Sequence, residues 1–346
     1  MFGAVVGPIC LFLLPSPDPK PGQSFKQRLS EVDVVGAPIL LGAIVTFVMA
    51  INFRGIMYEW DSPREIALFV VSGILFLIFG VQQALCIGVE SQCRLFPVPL
   101  VTGKSARTVV IMFCTTASGG CGIFLPVYFI PIFFQFTRGD SPVQAAVRLL
   151  PFIIVLVVIT LVQGASLSIN GRYMPWFLVG GLLTVVGGAL MFLADVDTSD
   201  SRIYGYSALI GAGVGTFTQA GFSIAQASVD ESDADVAAAF IALGQTAGIT
   251  LALAISNSIF LNRAESGIRK ILPLVPEGQV RAAIAGSSAD FVESLDPDVR
   301  QQVIEAIVDA VGRTYILLIT AGALVTVLSL IMKREKLFIQ PVALGA

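Results

Sequence analysis

Eight stretches of this chain run for 18 to 29 residues without a single Asp, Glu, Lys or Arg. They cover residues 36–53, 66–88, 108–136, 149–171, 174–194, 203–228, 236–261 and 314–332. A helix needs about 20 mostly apolar residues to cross the hydrocarbon of a bilayer. One buried helix of a soluble protein can meet that description, but eight in one chain require a solvent that is itself hydrocarbon. The expected fold is an all-α integral membrane bundle with eight full spans. Residues 1–14 are also apolar, end at Leu14-Pro15-Ser16-Pro17, and lack the basic start of a signal peptide. They read as the tail of a ninth, truncated helix, or else as a short interfacial segment.

Composition narrows the function. Charged residues make up 13% of the chain and hydrophobic ones 55%, against about 25% charged in soluble domains. The net charge of −3 offers no basic surface for nucleic acid. Histidine is absent, which removes a principal acid–base group and metal ligand. That argues against intramembrane serine proteases and histidine-dependent acyltransferases, so no catalytic residue, metal or cofactor is expected. The five cysteines, Cys10, Cys86, Cys93, Cys114 and Cys121, form no CxxC pair and read as small apolar residues.

The side on which Lys and Arg gather is the cytoplasmic one. Eight spans put residues 15–35 and 333–346 on the same side. That side carries ten basic residues: Lys20, Lys26, Arg28, Arg94, Lys104, Arg107, Arg172, Lys333, Arg334 and Lys336. The short loops opposite carry five, namely Arg54, Arg64, Arg138, Arg148 and Arg202. The long loop 262–313 adds six more to that far side, but long loops follow the rule poorly. Within it, Asp296-Pro297 has the form of a helix start. Val299, Val303, Ile307 and Val311 then recur every four residues before Gly312. An amphipathic helix lying on the outer membrane surface is expected there, as loop packing or as a lid.

Polar groups inside the spans are informative because lipid cannot solvate them. They are mainly amides: Gln82, Gln83, Gln135, Gln163, Gln219, Gln226, Gln245 and Asn257. Each can glue helices together or face a substrate. Gln135, Gln219 and Gln245 sit beside small or kinking residues and are the better candidates for a cavity, with Asn257 and Gln163 behind them. Gly211/Gly215 and Gly244/Gly248 are spaced to let helices pack closely. Pro126 and Pro131 interrupt the run 108–136 and are expected to kink it. Beyond it, Gly139 permits a tight turn, Ser141 can cap, and Pro142 can open the next helix, with Pro151 closing a short hairpin. The spans hold no carboxylate, the nearest being Glu65, Glu90, Asp140, Asp195, Asp230 and Asp235.

The stretch Pro131-Ile-Phe-Phe-Gln135, Gly139-Asp-Ser-Pro142, Ala145, Leu150-Pro151 resembles the ninth-to-tenth helix junction of the fourteen-helix drug:proton antiporters of the major facilitator superfamily. More particularly, it resembles the fungal multidrug and toxin efflux pumps. Leu14-Pro-Ser-Pro17 before a basic loop, the segment 211–219 and the long loop before the last span agree with it. The resemblance implies a major-facilitator-type bundle that exports small amphipathic drugs, toxins or secondary metabolites in exchange for protons. It makes residues 36–88 two linker helices, 89–107 a cytoplasmic loop and 108–332 a six-helix carboxy-terminal half. The host membrane is then the plasma membrane, or the vacuolar one. The family's amino-terminal half has no counterpart beyond residues 1–14, so the coupling group is expected there. A partner supplying that half, or a truncated non-transporting protein, are the further expectations.

Overall fold

Lipid offers no hydrogen bonds, so each apolar run must satisfy its own backbone, and helix is the form that does so within one segment. The computed structural model describes residues 33–53, 62–89, 94–276, 278, 280, 284, 295–334 and 336. The apolar start at 1–14, the loop 15–32, and Cys10 and Cys93 lie outside them. Among the described residues the regular elements are all helical. They are α1 (Gly36–Phe53), α2 (Pro63–Leu85), α3 (Val98–Thr102), α4 (Ala106–Arg138), α5 (Pro142–Val147) and α6 (Leu150–Asn170). Then follow α7 (Met174–Phe192), α8 (Asp200–Gly215), α9 (Ala220–Ala227), α10 (Ala234–Ile271) and α11 (Pro297–Leu330). A 3-10 turn, Glu231–Asp233, leads into α10.

Among the described residues, seven helical segments are long and apolar enough to cross a membrane, α8 with α9 forming one of them. The apolar part of α1, Gly36–Ile51, is a shorter eighth. The chain is thus an integral membrane protein, and every expected span has a helix. α4 is the central element, packed on α10 and α11, while α7 packs on α11 and α8, and α6 on α8. α1 and α2 form a pair of their own that meets the bundle through α1 and α10.

Small residues set these distances, because in lipid helices associate through close packing rather than through a hydrophobic drive. A Cβ added at Gly211 would lie 2.6 Å from the Phe152 carbonyl oxygen, and one at Gly215 2.7 Å from that of Leu156. Both glycines therefore seat α8 on α6. Gly244 lies against the Phe113 ring, and a Cβ at Gly248 would sit 2.1 Å from the Ala117 carbonyl oxygen. Those two seat α10 on α4.

α4 runs from Ala106 to Arg138 as one helix through Pro126 and Pro131. The structure departs from the sequence expectation in three places. The sixth span is not one helix. It stops at Gly215, turns through 216–219 and resumes at Ala220. The helix that begins at Asp296 does not end at Gly312 and lie on the surface. Asp296 caps it through the Asp298 N–H, and it continues into the last span to Leu330. Gly312 lies inside that helix, close to the Phe192 carbonyl. α10 likewise runs ten residues past the expected end, to Ile271. At 1.5 Å per residue these helices measure about 57 and 51 Å, against roughly 30 Å of hydrocarbon. Val303, Ile307, Val311, Ala264 and Ile268 are buried, so the every-fourth-residue pattern marks the seam of a projecting helix pair rather than a face laid on lipid.

The hairpin of 138–151 is built as its residues suggest. Gly139 ends α4 in the left-handed region at φ 66°. Ser141 and Gln144 make a reciprocal capping box, and Pro142 fills the first helical position of α5. Pro151 lies in the first turn of α6.

Gly248→Leu is expected to destabilise the detergent-solubilised protein by about 1–3 kcal/mol or more through overpacking. Gly164→Leu, at a position with nothing within 4 Å, should stay within about 0.5 kcal/mol. Thermal unfolding of the two variants checks this.

Candidate functional site

At the break between α8 and α9 the backbone N–H groups of 216–218 turn back onto Gly213 O and Val214 O at 3.2–3.3 Å. Threonine hydroxyls add further donors. Thr216 Oγ1 donates to Gly213 O at 2.7 Å and Thr218 Oγ1 to Val214 O at 2.8 Å. From α6, Thr160 Oγ1 reaches Gly215 O at 3.2 Å. Irregular backbone at membrane depth persists where it is buried in protein or lines a cavity. Thr216, Phe217 and Thr218 are buried, whereas Gln219 at the end of the turn is exposed. Two further polar groups lie on the helices beside it. Thr116 of α4 is packed against Gly221 of α9, and Gln163 lies one turn beyond Thr160 on α6. Thr116 Oγ1 and Gln163 Nε2 are buried without a hydrogen-bond partner among the described residues. Buried orphans of this kind call for an explanation, and a polar ligand or water is one.

A second feature is a cavity of about 410 Å³ between α1, α4 and α10. Its wall is Val48, Tyr128, Ile249, Thr250, Leu253, Ala254 and Asn257. The lining is mainly apolar, with one amide and two hydroxyl-bearing side chains, the mixture that suits an amphipathic organic molecule.

Of the residues singled out from sequence, Asn257 is in the cavity wall, and Gln219 is in the break. Gln135 and Gln245 are half-buried and line neither feature. The Gln245 carbonyl instead lies where Gly120 leaves room for it. Gln82 and Gln83 have a different task. Their side-chain amides donate to Asp33, which is 2% exposed and also accepts from Gly36 N at 2.6 Å. Gln83 Oε1 in turn accepts from Phe96 N at 2.8 Å. Asp33 escaped the sequence reading because it precedes the first apolar run. The pair Gln82-Gln83 near the end of a span was the signal for a buried carboxylate. Among the described residues no His, Cys, Asp or Glu set is arranged to hold a metal.

A charged cluster at the hairpin end was also missed. Arg148 pairs with both Asp140 and Asp200, donates to Tyr204 Oη at 3.0 Å, and lies 4.6 Å over the Phe134 ring. Arg138 pairs with Asp200 at 2.9 Å and donates to the carbonyls of Thr198 and Val196. In the same loop the Thr198 hydroxyl donates to Asp195 at 2.6 Å and holds that carboxyl below the usual carboxylate range. In sequence these were isolated loop charges. Folding brings residues 52 to 62 positions apart into one network that ties the α4–α6 hairpin to α8.

The chain is 46% identical over 338 residues to the MFS-type transporter pgmG of Aspergillus terreus. The efflux pump alnA of Emericella nidulans is 40% identical over 342 residues. The phomenoic acid biosynthesis cluster MFS-type transporter of Leptosphaeria maculans is 39% identical over 361. This chain is homologous to the MFS-type transporters of fungi.

The matches take in 98–99% of the chain but only 57–62% of those MFS-type relatives, so the chain spans about three fifths of their length. No family model matches. Among solved structures, an inward-facing, unoccupied bacterial homolog of the human lysosomal transporter Spinster has the same fold, with a TM-score of 0.50 and 16% identity. It covers 87% of this chain and 66% of that one.

Arg148→Lys should not preserve the hairpin network. A lysine cannot bridge two carboxylates and a phenol while stacking on Phe134. We expect a loss of about 2 kcal/mol, similar to that of Arg148→Gln, in thermal unfolding at low salt.

Proposed function

We propose that this chain forms one wall of the substrate path in a secondary transporter that exports small amphipathic organic molecules in exchange for protons. The observation that carries this reading is the homology to fungal transporters over almost the whole chain. The cavity and the broken span support a path along α1, α4 and α10 and past the turn between α8 and α9. Asn257, Thr250 and Tyr128 would orient a substrate's polar end, and Val48, Ile249, Leu253 and Ala254 would take its apolar body. Gln163 and Gln219 would serve at the broken span, and Gln135 and Gln245 along the flanking parts of α4 and α10.

In this reading α1 and α2 are linker helices and α4 to α11 are the six-span half. Residues 15–35 and 333–346 face the cytoplasm of a plasma-membrane protein, or of a vacuolar one. A transporter's substrate site lies between two repeats near the midplane. The remaining two fifths of the relatives' length would supply the opposing wall and the proton-carrying group, from the same polypeptide or from a partner.

Binding of an amphipathic fluorescent dye with a hydrogen-bonding polar end to the detergent-solubilised chain tests the cavity. Asn257→Leu should weaken it roughly tenfold, the loss of one buried hydrogen bond, and Gly164→Leu should leave it unchanged. Equal affinity in Asn257→Leu and Tyr128→Ala would remove the cavity from the path. Export from pump-deficient cells by this chain alone, abolished by a protonophore, would refute a coupling group outside it.

A further inference from the structure

At the end of the bundle remote from the hairpin network, the α6–α7 connection and the end of α11 enclose a cavity of about 380 Å³. Its wall is Arg172, Tyr173, Met174, Pro175, Lys333 and Arg334. Three of these six side chains are cationic and none is acidic. Arg172 and Arg334 make no ion pair or hydrogen bond among the described residues, and both are exposed. The carboxylates described at the same end, Asp33 beside the start of α1 and Asp230, Glu231, Asp233 and Asp235 around the α9–α10 connection, do not line the cavity. The start of α7 adds positive potential from its first-turn N–H groups.

The cavity's depth relative to the bilayer is marked by its neighbours. The Trp176 indole N–H donates to Ser166 Oγ at 3.2 Å, and Trp176 directly follows the wall residue Pro175. Tyr and Trp settle at the level of the headgroups. On the membrane side of that level, Ile169 of α6 and Val327 and Leu330 of α11, with Ile331 just beyond, present exposed apolar surface. A group bound here would thus meet cations at its head and bare hydrocarbon-facing helix below it. A free phosphate uses only the first of these features, whereas a phospholipid uses both.

We infer that this cavity is a binding site for the headgroup of an anionic phospholipid, with Arg172, Lys333 and Arg334 contacting the phosphate and the acyl chains lying along α6 and α11. Basic pockets between spanning helices recognise lipid headgroups by this combination of charge and depth. The site does not depend on the transport reading, since it needs only a membrane-embedded bundle.

Trp176 is a reporter within two residues of the wall. The chain is reconstituted into nanodiscs of phosphatidylcholine containing a fifth of either brominated phosphatidic acid or brominated phosphatidylcholine, with bromine on the acyl chains. The difference from Trp176→Phe isolates the Trp176 signal. We expect at least twofold stronger quenching by the anionic lipid. Arg172→Gln/Lys333→Gln/Arg334→Gln should make the two lipids equal. Arg202→Gln/Arg263→Gln/Arg300→Gln, which removes the same charge from the other end, should keep the preference. Equal quenching of the unaltered chain by both lipids would overturn the proposal. So would a preference that survives the first triple variant, or one lost equally in both triple variants. Loss of the preference on adding 10 mM inorganic phosphate, with no effect of equal ionic strength of chloride, would assign the site to free phosphate and overturn the lipid.

Discussion

A peptide group in hydrocarbon has no water to bond to, and leaving it unpaired costs several kcal/mol. The whole architecture follows from that. Among the described residues each span is helical because helix pairs its backbone within one segment. The single interruption, at 216–219, keeps backbone bonds to Gly213 O and Val214 O, and Thr216, Thr218 and Thr160 add hydroxyl donors to Gly213 O, Val214 O and Gly215 O. Thr116 and Gln163 are buried polar side chains left without a hydrogen-bond partner among the described residues.

The same solvent removes the usual reason for helices to associate. Apolar side chains gain nothing by leaving lipid for one another, so contact depends on how closely backbones approach. Gly211 and Gly215 against α6, and Gly244 and Gly248 against α4, set those approaches. Outside the hydrocarbon the balance changes. The projecting parts of α10 and α11 bury Val303, Ile307 and Ala264 as a water-soluble pair would, and carry i, i+4 ion pairs such as Arg269–Glu265 and Arg313–Asp309 on their flanks. One continuous helix therefore uses two packing regimes along its length, and Gly312 lies near the passage between them.

Charge is placed by the bilayer as well. Arg138, Arg148, Asp140 and Asp200 lock one end of the bundle in a mutual network. Among the described residues, Arg172 and Arg334 at the other end have no such partners. The contrast is one of neighbours rather than of residue type. The hairpin end brings two acids within reach of its arginines, whereas the acids described at the other end bond elsewhere or lie on the α9–α10 connection.

By itself the sequence determined the helical class, the number and positions of the spans, the hairpin turn at Gly139-Asp-Ser-Pro142 and the glycines that seat the helices. These are set by length, hydropathy and local backbone preference, all of which act within one segment. Only the tertiary structure decided that Gln82 and Gln83 hold Asp33, that Asn257 lines the cavity between α1, α4 and α10, and that the pattern 299–311 joins α10 instead of lying on the membrane. It also decided the break after Gly215, where the residues could have continued as helix. Each depends on which groups from distant segments meet, since burial in lipid penalises an unpaired polar atom without naming its partner.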